Sequence, residues 1–388
     1  MGKWYCFFSA QYLPTMGGVE RYTNNLARYL TAKGNRVTVV TSKTGALPEH
    51  EMLDGIEIYR LPSYSLMKGR FPVLRPSRQL RKLRQELRPD IVIVQTRFYL
   101  LSLWGARWAR KIHRPCLVLD HSTGHLTFGP GILNRMGEWY EHGITWQLRR
   151  TGAEFRGVSK ACNKWLTHFR IQAKAPLYNA IDLPAIDALQ QESGQENYRL
   201  LCGVHAGETL VAFAGRLVAE KGVLKLIDAV NRLRQEGEKL HLIVVGTGPL
   251  EEAVRAKEKE GIHFLGQFAF SQVVALMRQS DVFCLPTEYA EGFPTTVLEA
   301  AACRCFTIAT NRGGSAELIA DDSYGIILPD NEVDRLCAAL RLALRDEAYR
   351  KSAAEKARQR LEAYFTWDKV LDHLIEITDQ RIDSKTEG

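Results

Sequence analysis

The chain has 388 residues, 45% of them hydrophobic and 25% charged, which is enough for two domains of roughly 150–200 residues, each with a full core. No apolar run approaches the ~20 residues of a membrane-spanning helix, and the longest, YLLSLWGARWAR, is interrupted by Arg107 and Arg110. The net charge of +8 is uneven, with 28 Lys and Arg against 11 Asp and Glu in residues 1–180, and 24 against 33 in the remainder.

The first segment, MGKWYCFFSAQYLP, is too short and too polar after Phe8 for a secretory signal. Cys6 stands where a myristoylation motif needs Ser or Thr. From there, short apolar runs alternate with helical patterns, which argues for βα units and parallel sheets. The strand-like runs of the first half are 3–10, 36–42, 56–61, 90–96, 116–122 and 154–159. Between the first two lies GVERYTNNLARYLTAKG, a helix with Leu26, Ala27 and Leu30 on one face and Gly34 at its end. Residues 66–88 hold eight basic residues and one acid, Glu86, and Leu80, Leu83 and Leu87 recur at helical spacing. The spacing predicts an amphipathic helix whose cationic face is either simply solvated or attracted to anionic lipid or a diphosphate.

A polar strip with turn residues, LYNAIDLPAIDALQQESGQENYRLLCG, places the domain junction near 178–205. The second half repeats the rhythm with runs at 209–217, 239–248, 262–267, 281–287, 305–311 and 324–329. An amphipathic helical stretch from Val333 to Ile377 follows, and the polar tail DQRIDSKTEG is expected to be disordered. The eight cysteines form no C-x-x-C pair, and Cys303-x-Cys305 has no partner pair, so buried thiols in a reducing cytoplasm are expected. The fold class is α/β, two doubly wound Rossmann-like domains facing across a cleft, with ligands beyond the carboxyl ends of the strands.

Four loops could then carry chemistry. Gly17 and Gly18 follow the first strand and open a helix whose N–H groups face a ligand, although a plain turn before a helix explains a glycine pair alone better. In AGRLVAEKG, Arg216 and Lys221 offer a fork and a point charge for a diphosphate, and surface solubility would explain either alone. VVGTGPLEEA lacks the third glycine of a dinucleotide fingerprint, having Glu251 there, which excludes a nicotinamide dehydrogenase. In YAEGFPTTVLEA, Pro294 suits the first helical position, Thr295 and Thr296 present free amides, and Glu291 and Glu299 stand eight apart. Carboxylates repel phosphate and accept from hydroxyls, so the pair suits the sugars at the two ends of a diphosphate; taken alone, a pair at this spacing reads rather as a helix-dipole glutamate and a surface one.

Together, Gly17–Gly18, Arg216 with Lys221, and Glu291 with Glu299, along with GVSKA, LYNAID, GTGPLEEA and LPTEYAEGFP, resemble the retaining GT-B glycosyltransferases of family four over nearly the whole chain. The resemblance implies an acceptor-binding domain at 1–178, a nucleotide-sugar domain at 179–365, and a crossover helix and tail at 366–388. It implies that Arg216 and Lys221 hold the donor diphosphate, that Glu299 grips the ribose, and that Glu291 contacts the transferred sugar. Gly17, Gly18, Gly248, Pro294 and the amides of Phe293, Thr295 and Thr296 around it would complete the donor site. His121 would line the sugar's reacting side, with His125 a rival for that role and a structural histidine the other alternative. No Asp-x-Asp motif stands at a strand end, so no metal and no cofactor beyond the donor are expected, the two cations taking the place of a divalent ion.

The implied reaction retains anomeric configuration and moves a hexose or N-acetylhexosamine from a UDP-sugar to a saccharide acceptor. The runner-up is a GDP-mannose-dependent mannosyltransferase. A GT-B nucleotide-sugar epimerase would need extra carboxylates, and a sugar-nucleotide sensor would tolerate loss of some of the four charged groups. The basic first half fits a cytoplasmic, peripheral enzyme acting on a lipid-linked saccharide at an anionic membrane face, in polysaccharide, lipopolysaccharide or glycolipid assembly. Nucleic acid is not expected, since no recognition module accompanies the charge. Tyr12, Arg97, Tyr99, Trp139 and Tyr140, expected in loops, are the acceptor-side candidates, though such residues more often pack in a core or make a surface contact than form a sugar platform.

Overall fold

The structure is a computed structural model that describes residues 2–43, 45–66, 71–127, 131–191 and 196–386. Residues 67–70 of the basic segment, 192–195 of the polar strip and 387–388 of the tail lie outside the described residues. The chain forms two compact units, Met1–Asn179 with Trp367–Gly388, and Ala180–Thr366.

The first unit is built on β1 (Trp4–Phe8), β2 (Arg36–Ser42), β3 (His50–Leu53), β4 (Ile56–Leu61), β5 (Ser63–Leu66), β6 (Phe71–Leu74), β7 (Ile91–Gln95), β8 (Cys116–Asp120) and β9 (Glu154–Gly157). Seven of these make one sheet in the order β3-β4-β2-β1-β7-β8-β9, parallel except where β3 runs against β4. β1 lies at its centre, with Phe8 opposite Val40 on one side and Val94 on the other. Its nearly continuous burial is what a strand covered on both faces requires.

The second unit contains β10 (Thr209–Ala214), β11 (Leu240–Val245), β12 (Ile262–Phe264), β13 (Val282–Leu285), β14 (Phe306–Thr310) and β15 (Ile326–Leu328). They form an all-parallel sheet in the order β12-β11-β10-β13-β14-β15. Every residue of β10, β11, β13 and β14 is buried.

Three expectations are corrected. The basic segment is not one helix: Phe71–Leu74 pairs with Ser63–Leu66 as a hairpin, and the helix spans only Arg78–Glu86. Pro72 and Pro76 bar an earlier start, and the Ser77 side chain caps the helix by accepting from the Leu80 N–H. The strip at the junction is not all turn, because Leu183–Gln191 and Tyr198–Leu201 are helical. The tail is not disordered as far as Thr386, since the helix Trp367–Thr386 runs through it. Its side chains grip the first unit: Lys3 pairs with Asp379, Arg381 with Glu154, and the Tyr5 and Thr378 hydroxyls lie 3.0 Å apart. Trp367, 2% exposed, meets the rings of Tyr22 and Tyr29 at 5.2 and 6.2 Å.

Candidate active site

In the second unit the sheet begins at β10, winds outward through β11 to β12, and returns to β13 on the other flank of β10. β10 and β13 are parallel, with Val211 opposite Val282 and Ala212 opposite Phe283. Their following loops therefore leave the same end of the sheet on either side of a reversal in strand order, the place where open α/β sheets bind ligands. Arg216 and Lys221 ride on the first loop and Glu291 on the second.

Backbone contacts lock these loops together. Gly222, at φ +71°, ends the 3-10 turn Ala219–Lys221, and a Cβ there would lie 2.2 Å from the Pro286 carbonyl oxygen. Only glycine tolerates both the left-handed backbone and the approach. The Glu220 carbonyl accepts from the Glu288 N–H at 2.6 Å and from the Thr287 hydroxyl at 3.3 Å. Thr310 donates its hydroxyl to the Thr287 carbonyl, and Arg312 pairs with Glu288. The Asn331 side chain donates to Pro286 O at 3.0 Å, and its N–H to the Glu288 carboxylate at 3.1 Å.

On this brace the Lys221 ammonium pairs directly with Glu291 Oε1, each side chain 16% exposed. The Thr287 hydroxyl lies 3.4 Å from the same oxygen, and the Tyr289 ring centroid is 6.0 Å from the ammonium. An anion arriving here gains the cation only by displacing the carboxylate. Arg216 is exposed and its guanidinium has no hydrogen-bond or ion-pair partner among the described residues, so it can meet a ligand without first breaking a contact. Thr287 and Tyr289 carry no signal of their own in the sequence beyond standing four and two residues before Glu291 in LPTEYAEGFP.

Gly248 has a structural task. At φ +158° it lies so close to the turn after β10 that a Cβ would sit 2.4 Å from Leu217 O, and the Leu217 N–H donates to Thr247 O at 2.8 Å. The two glycines of VVGTG thus bring the loop after β11 against the loop bearing Arg216, which accounts for a pattern that resembled a dinucleotide fingerprint.

The helix Thr295–Ala302 follows the glutamate loop. Pro294 is its N-cap, with φ −63° and ψ 114°, not its first helical residue. The pre-set φ of proline suits either position, but an extended ψ keeps it outside. Thr295 and Thr296, half-buried, open the helix, while the Val297 N–H turns back to Pro294 O at 3.3 Å. Phe293 is 5% exposed and meets the Phe365 ring edge-on at 5.3 Å, which pins the loop to the core. Glu299 is also 5% exposed, one turn into the helix.

In the first unit, Gly17 caps the helix Gly18–Ala32, and its N–H donates to Glu20 Oε2 at 2.9 Å. The buried Glu20 carboxyl, its pKa raised chiefly by burial, stands where an anion would meet this helix start. His121 follows β8; its Nε2 lies 2.7 Å from Gln95 Oε1 and its ring meets Tyr22 edge-on at 4.9 Å. Burial pulls its pKa down to about 3, so the imidazole is neutral across the physiological range.

His125 stands apart from these contacts. Its Nδ1 lies 2.7 Å from Glu141 Oε2, among His142, Trp165, His168 and Phe169. Arg97 is no loop contact but a fully buried cation shared by Asp120 and Glu141. Tyr12 is buried with its hydroxyl donating to Asn24 at 2.8 Å. Tyr99 packs on Phe71 and Phe98. Trp139 and Tyr140 lie on the helix Ile132–Arg149 rather than in a loop, Tyr140 tied to Phe98 O at 2.8 Å and Trp139 80% exposed.

Comparison with known proteins matches both halves of the chain. The family model for Glycosyltransferase Family 4 matches residues 16–184, and that for Glycosyl transferases group 1 matches residues 203–360. Over 383 residues the chain is 23% identical to an uncharacterized glycosyltransferase of Methanocaldococcus jannaschii, covering 93% of this chain and 94% of that protein. It is 26% identical over 371 residues to a GDP-mannose-dependent alpha-mannosyltransferase of Mycolicibacterium smegmatis, covering 94% of each. Among solved structures, Anabaena HepE in complex with UDP-glucose superimposes with a TM-score of 0.72 at 18% identity, over 97% of this chain and all of that one. With a GT-B fold and both halves matched, the protein belongs to the group 1 glycosyltransferases of family four.

Proposed function

We propose that the chain is a retaining glycosyltransferase that moves a hexose or N-acetylhexosamine from a UDP-sugar to a saccharide acceptor. The carrying observation is the contact of Lys221 with Glu291 on the two loops at the reversal of the second sheet. In this reading Arg216 and Lys221 bind the diphosphate, the amides of Phe293, Thr295 and Thr296 add donors to it, and Glu299 accepts from the ribose hydroxyls. Glu291, released from Lys221, accepts from hydroxyls of the transferred sugar. The acceptor oxygen bonds to the anomeric carbon on the face from which the phosphate oxygen departs. Its proton passes to that oxygen, and the two cations neutralise charge growing on the nucleoside diphosphate. Donors fixed in advance in this way each contribute on the order of 10²–10³ in kcat, which lets the reaction proceed without a divalent ion at the diphosphate.

The UDP choice draws support from the UDP-glucose complex of HepE, and GDP-mannose, named for the Mycolicibacterium relative, is the second reading. We further propose a lipid-linked acceptor in cell-surface polysaccharide or glycolipid assembly. No helix among the described residues is long and apolar enough to cross a membrane. Instead Ile132, Met136, Trp139 and Trp146 form one exposed apolar face of the helix Ile132–Arg149, flanked by Arg135, Arg149 and Arg150, a pattern suited to lying in an anionic interface. Thermal shift with UDP, GDP, CDP and dTDP, followed by hydrolysis of the corresponding sugars, tests the donor. A UDP or GDP shift together with release from its sugar supports transfer chemistry. No shift with any of the four overturns the reading.

A further inference from the structure

The first unit holds a second cluster that donor chemistry does not use. His125 comes from the loop after β8, His142 from the middle of the helix Ile132–Arg149, and His168 from the 3-10 turn Thr167–Phe169. One ligand atom from each lies within 4.8 Å of the others. His142 and His168 face each other through their Nε2 atoms at 3.2 Å. Two nitrogens bound tetrahedrally to one ion at ~2.0–2.1 Å stand about 3.3 Å apart, so this separation is already that of a shared metal.

The surroundings fix the third ligand. The Nδ1 of His125 is taken by Glu141 Oε2 at 2.7 Å, which leaves Nε2 as the ligating atom and supplies the carboxylate–histidine support common at metal sites. Glu141 is itself held by Arg97 and by the Leu126 N–H at 3.4 Å. Trp165 stacks on the His168 ring at 4.8 Å and 7°, and meets His125 edge-on at 5.0 Å. Phe169 lies 4.8 Å from the His142 ring. The rings are thus oriented by neighbours rather than splayed into solvent. Charge argues the same way: Asp120 and Glu141 share the single guanidinium of Arg97, all three at most 1% exposed, and a dication beyond His125 offsets the excess negative charge.

We propose that His125, His142 and His168 form a three-imidazole site for a zinc-class divalent ion, with the exposed side open to a water ligand. Imidazole nitrogen favours Zn²⁺ over Mg²⁺ or Ca²⁺, which take oxygen ligands, and the His142–His168 pair already has tetrahedral spacing, with His125 within 4.8 Å to close on the ion. The ion clips three segments distant in sequence and anchors the loop that leaves β8. The site belongs to the first unit, whereas the loops bearing Arg216, Lys221 and Glu291 belong to the second. It holds whatever the sugar, and it departs from the expectation, drawn from the sequence, of a chain without metal.

The test uses the untagged full-length chain, stripped with a chelator and titrated with Zn²⁺ alone in competition with a chromophoric chelator. One equivalent bound at micromolar metal, with a rise in Tm, is expected. The double variant H142Q/H168Q alters two exposed side chains, so its metal-free melt should match wild type while both the equivalent and the Tm rise are lost. Co²⁺ bound to the wild-type chain provides a readout independent of any variant, a tetrahedral d–d spectrum being expected. Substoichiometric Zn²⁺, binding undiminished in the double variant, or an octahedral Co²⁺ spectrum would each overturn the proposal.

Discussion

Replacing Glu291 by glutamine separates binding from turnover. The carboxylate holds the Lys221 ammonium, both side chains 16% exposed, so a diphosphate must break that pair before it gains the cation. Glutamine keeps the size and an acceptor oxygen but removes the charge. Partly exposed pairs of this kind contribute up to ~1 kcal/mol. At 1.4 kcal/mol per decade, relieving the competition tightens the Kd for a nucleoside diphosphate about fivefold. Turnover moves the other way, falling at least ~10-fold, because a neutral amide orients the sugar hydroxyls less strongly than a carboxylate. Calorimetric titration with UDP and GDP, run beside sugar-transfer kinetics on the same preparation, reads both numbers. Lys221→Ala is the counterpart and should lose affinity and turnover together. Unimproved diphosphate binding in Glu291→Gln, with undiminished binding in Lys221→Ala, refutes the idea that this contact guards a phosphate site.

Three further outcomes follow from the packing and charge. His121 ordinarily titrates near 6.5 and is pulled to about 3 when folded, so the unfolded chain takes up a proton first on acidification. Stability is therefore lost as pH falls below ~6.5, by at most about 1.4 kcal/mol per unit from this group; urea midpoints at pH 7 and 5 should diverge less in His121→Gln, and an equal divergence contradicts the assignment. Trp367→Ala empties a site between Tyr22 and Tyr29 and should cost about 3–5 kcal/mol, with early proteolytic release of the last helix; a loss under ~1 kcal/mol would show that the helix is held by its ion pairs instead. The Met136→Ser, Trp139→Ser double variant should reduce flotation with anionic liposomes at least ~10-fold at low salt, each side chain contributing roughly 1.5–3 kcal/mol when buried; absence of wild-type flotation at low salt ends the membrane reading.

The central parallel strands were legible because burial on both faces demands nearly continuous apolar runs, as in Ile91–Gln95, polar only at Gln95, and Leu240–Val245, polar only at His241. The strands that escaped, His50–Leu53, Ser63–Leu66 and Phe71–Leu74, lie at an edge or in a small hairpin, where half-buried Glu51 and exposed Tyr64 and Ser65 carry no such run. At the site, residue types and loop positions could be read, but contacts could not. Lys221 and Glu291 are 70 residues apart, and nothing local signals that they touch. Arg97 illustrates the limit: its burial depends on Asp120 and Glu141, carried on two other elements. His142 and His168 stand alone in sequence, without the short spacing that marks a metal motif.

The last helix carries a consequence for synthesis. Tyr22 and Trp367 are 345 residues apart, yet one covers the other. A ribosome adding ~5–20 residues per second needs roughly 20–70 s between them. Throughout that interval the nascent amino-terminal half displays an aromatic surface whose cover is still unmade, so chaperone dependence should concentrate there, and a chain truncated before Trp367 should emerge sticky even though its central sheet is intact.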